Sequence, residues 1–157
     1  MPCLAYFVTW HTYGTWLHGD SQGSVDLEHN RFGTPFVPPD PVRVEHAARR
    51  MKQEPFVLTP AMRDLVDKAI RDHAGHRSWR VLALNVRSNH VHLGVDHFGN
   101  YSPEQVMQQC KAWGTRRLIA AGHATSTTRV WTDHGSTRYI NTPESLAKMM
   151  DYILNQQ

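Results

Sequence analysis

The segment Leu4–Tyr13, LAYFVTWHTY, is apolar on both of its faces. Side chains alternate along an extended strand, so Tyr6, Val8 and Trp10 take one side while Phe7, Thr9 and His11 take the other. A strand with bulky residues on both sides needs a packed layer above and below it, and it belongs in the interior of a sheet. The remaining chain must therefore supply strand neighbours and covering layers.

Neighbours are legible further along. Trp79 to Val86 alternates Trp79, Val81 and Ala83 with Leu82, Leu84 and Val86, a strand pattern. Arg87-Ser88-Asn89 is too short for anything but a tight connection, and Ser88-Asn89-His90-Val91-His92-Leu93-Gly94-Val95 follows it as a second strand. The two predict an antiparallel hairpin. A further hairpin is predicted where Val130-Trp131-Thr132 and Thr137-Arg138-Tyr139-Ile140 flank Asp133-His134-Gly135-Ser136, with glycine at the turn.

Three helices open on the same local grammar, a hydroxyl residue followed by proline: Thr59-Pro60, Ser102-Pro103 and Thr142-Pro143. In the first, Met62, Leu65, Val66, Ala69 and Ile70 form an apolar stripe, and Gly75 is the expected stop. The second carries Val106, Met107, Cys110, Trp113 and Leu118 inward and shows Lys111, Arg116 and Arg117 as a basic cluster. In the third, Leu146, Met149, Met150, Ile153 and Leu154 recur at helical spacing. A shorter helix is expected after Asp40-Pro41, where Val44, Ala47, Ala48 and Met51 repeat and Arg43, Arg49, Arg50 and Lys52 decorate the surface. Residues 21 to 58 read as an extended arm or insertion, polar at first and then proline-rich. One domain over residues 1–157 is expected, with no internal repeat.

The strand and helix order gives an α+β fold, a mostly antiparallel sheet with helices packed on it and a ferredoxin-like core. Lys and Arg outnumber Asp and Glu by 17 to 14, a net charge of +3 that permits a nucleic-acid partner without demanding one. Cys3 and Cys110 form no CxxC pair, and no stretch approaches the roughly 20 apolar residues of a spanning helix. A soluble, cytoplasmic protein is expected.

Chemistry concentrates on the strand of two histidines. His90, His92 and Gly94 share one face while Val91, Leu93 and Val95 take the other. Two imidazoles on one face are either a metal-ligand pair or hydrogen-bonding groups at a sheet surface, and the strand alone does not choose. In the last helix Tyr152 and Gln156 are i, i+4 neighbours and Asn155 points away from them; a tyrosine there also suits a core rim. Trp16, in the glycine-bounded loop after the first strand, either plugs the core edge or offers a stacking face.

The SNHVHLGV strand, joined to a late helix with Tyr152 and Gln156 four apart, resembles the single-tyrosine HUH transposases, HUH denoting His-hydrophobic-His. The opening YFVTWHTYGTWLHGD and the late WTDHGSTRY are similar to those of the stand-alone tyrosine transposases, including those associated with repetitive extragenic palindromes (REP). The likeness covers most of the chain apart from the arm. It implies that His90, His92 and Gln156 ligate a divalent metal, Mg²⁺ or Mn²⁺, and that Tyr152 is the nucleophile. It further implies a single-stranded DNA substrate, folded into hairpins at element ends, that is cleaved and rejoined through a 5′-phosphotyrosine by a monomer or a homodimer. Trp16, Arg49, Arg50, Lys111, Arg116 and Arg117 are the candidates for DNA contact.

Other readings fit less well. Histidine-triad hydrolases need a third histidine where Gly94 stands, and two-histidine phosphoesterases need paired His-x-Thr/Ser motifs, which His11-Thr12-Tyr13 and His90-Val91-His92 do not make. Structural zinc lacks closed Cys/His spacing. A non-cleaving DNA-hairpin-binding regulator with the same fold is the alternative that remains.

Overall fold

The structure, a computed structural model, describes residues 3–15, 53–96 and 101–155. Four strands, β1 (Ala5–Thr12), β2 (Arg80–Val86), β3 (His90–Asp96) and β4 (Trp131–Ile140), form one sheet in the order β2-β3-β1-β4. All neighbouring pairs are antiparallel. Helices α1 (Pro60–Arg77), α2 (Pro103–Ala120) and α3 (Pro143–Asn155) complete the order βαββαβα. This is the ferredoxin-like split βαβ arrangement with one extra helix. β1 lies between β3 and β4, as its two apolar faces require.

Each face of β1 has its own core. Tyr6, Val8 and Trp10 join Val91, Leu93 and Val95 of β3 beneath α1 and α2. On the opposite face Ala5 and Phe7 meet Ala83, Ile140, Met149 and Ile153, so among the described residues α3 is the helix that covers that side. The helix starts follow the expected chemistry. Thr59 accepts from the Met62 amide at 3.3 Å, and Thr142 accepts from the Ser145 amide at 3.1 Å. Ser102 and Gln105 close a reciprocal capping box with bonds of 3.1 and 2.8 Å.

Four local expectations are corrected. Residues 131–140 are not a hairpin but one continuous edge strand, paired with β1 along its length except for an irregularity between Trp10 and Thr12. Gly135 is needed there for closeness rather than for turning: a Cβ on it would sit 2.5 Å from the Thr9 carbonyl oxygen and 2.5 Å from the Met107 sulfur. Helix α1 runs past Gly75 to Arg77, and Ser78 takes the left-handed conformation at φ 61°. The alternation predicted for residues 79–86 is broken by a register shift between Val81 and Ala83. That irregularity puts Val81 and Leu84 on the α1/α2 side and Leu82 and Ala83 on the α3 side. Leu154 leaves the α3 stripe and is 54% exposed, whereas Met149 and Ile153 are fully buried.

The end of the arm is tied to the sheet. The Phe56 amide bonds to Tyr13 O at 2.8 Å, the Leu58 amide bonds to Ser88 O at 2.7 Å, and Leu58 is fully buried. The expected short helix near residues 43–51 and the rest of the arm lie outside the described residues.

Candidate active site

β1 and β3 pair with Thr9 opposite His92 and His11 opposite His90, so all three histidines line the α3 face of the sheet. The rings of His90 and His92 are 4.7 Å apart between centroids, and His11 lies 5.5 Å from His90. Each of the paired rings is fixed through its Nδ1. His92 Nδ1 is 2.7 Å from the Thr9 hydroxyl, and His90 Nδ1 is 2.7 Å from Asn89 Oδ1. With Nδ1 engaged in both rings, Nε2 is the atom each would offer to a metal ion.

His92 is 8% exposed. Its pKa is pushed down to about 3, first by burial and then by the neighbouring His90, His11 and Arg87. A neutral imidazole is the form that binds metal. Two oriented imidazoles on one face fit part of a mixed N/O site, and they need a third donor from elsewhere. Among the described residues no group of three or more His, Cys, Asp and Glu side chains forms a metal site by itself. Gln156, the third ligand implied by the sequence resemblance, lies outside the described residues.

Helix α3 brings Tyr152 over the same face. Its ring centroid is 5.4 Å from His92 and 6.0 Å from Phe7, and the side chain is only partly buried. Two features set how close α3 can come. Gly94 is the first: a Cβ there would lie 2.6 Å from Met149 Cε and 3.3 Å from Ile153 Cδ1, so a glycine opens the groove into which α3 settles. The second is Asn85, opposite His92 in the β2–β3 pairing, whose Nδ2 donates to Ile153 O at 3.0 Å. Burial of Met149 and Ile153 stabilises this docking by about 1.5–3 kcal/mol for each side chain.

A family profile described as "Transposase IS200 like" matches residues 45–156. The chain belongs to the IS200-like transposases. The fold of this transposase is similar to that of a REP-associated tyrosine transposase solved bound to a REP hairpin, with a TM-score of 0.54 at 12% identity. That match covers 98% of the present chain and 66% of the other, so the chain spans just under two thirds of that protein's length. A proposed transposase from Deinococcus radiodurans R1 is 17% identical, with a TM-score of 0.49 and coverage of 100% and 93%. No curated protein sequence matches.

The other site candidates of the transposase fall apart in space. Trp16, Arg49 and Arg50 lie outside the described residues. Lys111 is corrected: it is not part of an exposed basic cluster but 6% exposed, with Nζ donating to Thr132 O at 2.9 Å and His134 O at 3.3 Å. It clamps α2 to the start of β4. Arg117 pairs with Asp72 at 3.0 Å, and Arg116 lies over Trp113 with its guanidinium carbon 4.7 Å from the ring centre. Both belong to α2, which packs on the sheet face opposite the histidines. Thr9, Asn85 and Asn89 are site residues that the sequence reading missed. Thr9 could have been found by pairing the first strand against the histidine strand, since both expose polar residues at alternate positions. Among the described residues no helix is long and apolar enough to cross a membrane.

Proposed function

We propose that the protein is a metal-dependent, single-stranded DNA transposase that cleaves and rejoins hairpin-bearing ends through a tyrosine–DNA intermediate. The observation that carries this reading is the approach of the Tyr152 ring to 5.4 Å from His92, within one chain. The family membership and the hairpin bound by the REP-associated relative support a DNA substrate of this kind.

In the proposed reaction the Tyr152 phenolic oxygen attacks the scissile phosphorus and the bond to the 3′ oxygen breaks. The phenol loses its proton, the departing oxygen gains one, and the products are a 5′-phosphotyrosine and a free 3′-hydroxyl. Because the phosphodiester is exchanged rather than hydrolysed, another 3′-hydroxyl can reverse the step and join a new strand. Mn²⁺ or Mg²⁺ held by His90, His92 and Gln156 would polarise the phosphate and offset the charge that builds on it. Thr9 and Asn89 keep the two imidazoles oriented, and Asn85 with Gly94 holds α3 at attacking distance.

The test is incubation with labelled single-stranded hairpin DNA and Mn²⁺ or Mg²⁺. A covalent protein–DNA adduct is expected, lost on chelation and absent in Tyr152→Phe. Hairpin binding with no adduct over a broad oligonucleotide set would refute cleavage and leave the regulatory alternative, and an adduct that persists in Tyr152→Phe would refute the nucleophile.

A further inference from the structure

The start of β3, where His90 stands, is gripped by the turn that follows β1. That strand ends at Thr12, which is fully buried, and the chain turns through Tyr13 and Gly14 to Thr15. Gly14 takes the left-handed conformation at φ 77°, the form that the third place of such a turn favours and that glycine adopts without strain. The two threonine hydroxyls meet at 2.6 Å, and Thr15 Oγ1 is placed to donate to Thr12 O at 3.0 Å. Both hydroxyls lie 3.4 Å from the Asn89 carbonyl oxygen, which also accepts from the Thr12 amide at 2.9 Å. Packing alone asks only for an apolar residue at the buried position 12; the hydroxyl there is matched to Thr15 and Asn89.

The gripped carbonyl belongs to the peptide that joins Asn89 to His90. A peptide is planar, so holding its oxygen also fixes the His90 nitrogen and the direction in which the imidazole leaves the strand. The carbonyl on the far side of His90 accepts from the Arg87 amide at 2.8 Å, so both peptides flanking the histidine are pinned. The Asn89 side chain then acts on the ring, with Oδ1 2.7 Å from Nδ1. An amide oxygen only accepts, so in this contact the proton sits on Nδ1 and the lone pair on Nε2.

We propose that Thr12 and Thr15 are positioning residues for His90: their hydroxyl pair locks the Asn89–His90 peptide and so keeps the His90 Nε2 lone pair available to a metal ion. This inference rests on the metal-dependent reading above and extends it to the turn that sets one of the two imidazoles. Without the lock, Asn89 Oδ1 shifts from Nδ1 and the two ring tautomers mix. A fraction of His90 then presents an N–H where a lone pair is needed.

The test compares full-length wild type, Thr15→Val and Thr15→Ser without DNA, each checked for folding by urea unfolding. Thr15 is only partly buried, which suits it to substitution. In metal-free protein, imidazole ¹⁵N NMR should show one tautomer at His90 in the wild type and a mixture in Thr15→Val. His92, held by Thr9 instead, should not change. In an Mn²⁺ titration followed by electron paramagnetic resonance, Thr15→Val should bind about 10-fold more weakly, and Thr15→Ser should stay close to wild type. A folded Thr15→Val with the wild-type His90 tautomer and Mn²⁺ affinity overturns the proposal. So does a serine variant as defective as valine, which would make side-chain shape and not the hydroxyl the cause. Equal changes at His90 and His92 would be a general loosening of the sheet and overturn it as well. A wild type that binds no Mn²⁺ would remove the metal-dependent reading, while a His90 tautomer change confined to Thr15→Val would still support the lock.

Discussion

Thr9→Val isolates the orientation of His92 from every other contribution to the site. Valine nearly matches threonine in shape, so the change deletes one hydroxyl on the central strand, and with it the 2.7 Å contact to His92 Nδ1. When Nδ1 carries the proton it donates to Thr9, and Nε2 keeps the lone pair that a metal needs; without that partner the other tautomer competes. Two costs follow. His92 is 8% exposed, so an unpaired Nδ1 loses about 1–3 kcal/mol of folding stability. Loss of a partner that orients a metal ligand weakens metal binding about 10–100-fold, equivalent to roughly 1.4–2.7 kcal/mol. The assay is single-turnover adduct formation on hairpin DNA across a Mn²⁺ series, with urea unfolding measured in parallel. The half-saturating Mn²⁺ concentration should rise about 10–100-fold, and the rate at saturation should return close to wild type. An unchanged Mn²⁺ dependence would refute the orienting role of Thr9. A rate deficit that saturating Mn²⁺ does not repair would place Thr9 in some other part of the reaction.

Gly94→Ala should cost about 1–3 kcal/mol in urea unfolding, because the new methyl meets Met149 Cε at 2.6 Å in a filled layer. Gly94→Val should also slow adduct formation by pushing α3 and Tyr152 off the sheet, and wild-type rates in the valine variant would refute the groove's role. Mixing His92→Ala with Tyr152→Phe should restore no adduct, since both residues meet within one chain; recovered activity would mean that α3 is exchanged between copies. Lys111 gives a pH signature. Burial lowers its pKa from 10.5 to about 8 in the folded protein, so the unfolded chain binds more protons between those values and folding stability rises with pH across that window. Urea unfolding of the wild type relative to Lys111→Met should show this gain between about pH 8 and 10.5, and parallel curves would contradict the burial of a strained cation.

Periodicity and capping were sufficient for most of the fold. The central place of β1, the β2–β3 hairpin and all three long helices were readable because each rests on local signals: a strand apolar on both faces, a three-residue connection, a hydroxyl residue before proline. The reading failed where a local signal had a non-local cause. Gly135 looks like a turn glycine, yet it is required by the Thr9 carbonyl and Met107 that press against β4. Gly94 reads in the sequence only as the residue that shares a face with His90 and His92, yet it opens the seat for α3. Lys111 belonged by spacing to a basic cluster with Arg116 and Arg117, but spacing along one helix does not show that two backbone carbonyls of β4 will capture its ammonium.

The sequence by itself determined which chemical groups this transposase carries and how each strand and helix presents them: imidazoles at alternate positions of a strand, a tyrosine on the flank of an amphipathic helix. Those are short-range properties, fixed by backbone geometry within a few residues. Only the tertiary structure decided that β1 lies against β3 in the register that sets Thr9 beside His92, that Asn85 and Gly94 bring α3 down onto the same face, and that the turn after β1 closes on the Asn89 carbonyl. Contacts between segments as far apart as Phe7 and Tyr152 depend on strand order and on which small residue lets a helix approach, and no periodicity within a single segment encodes them.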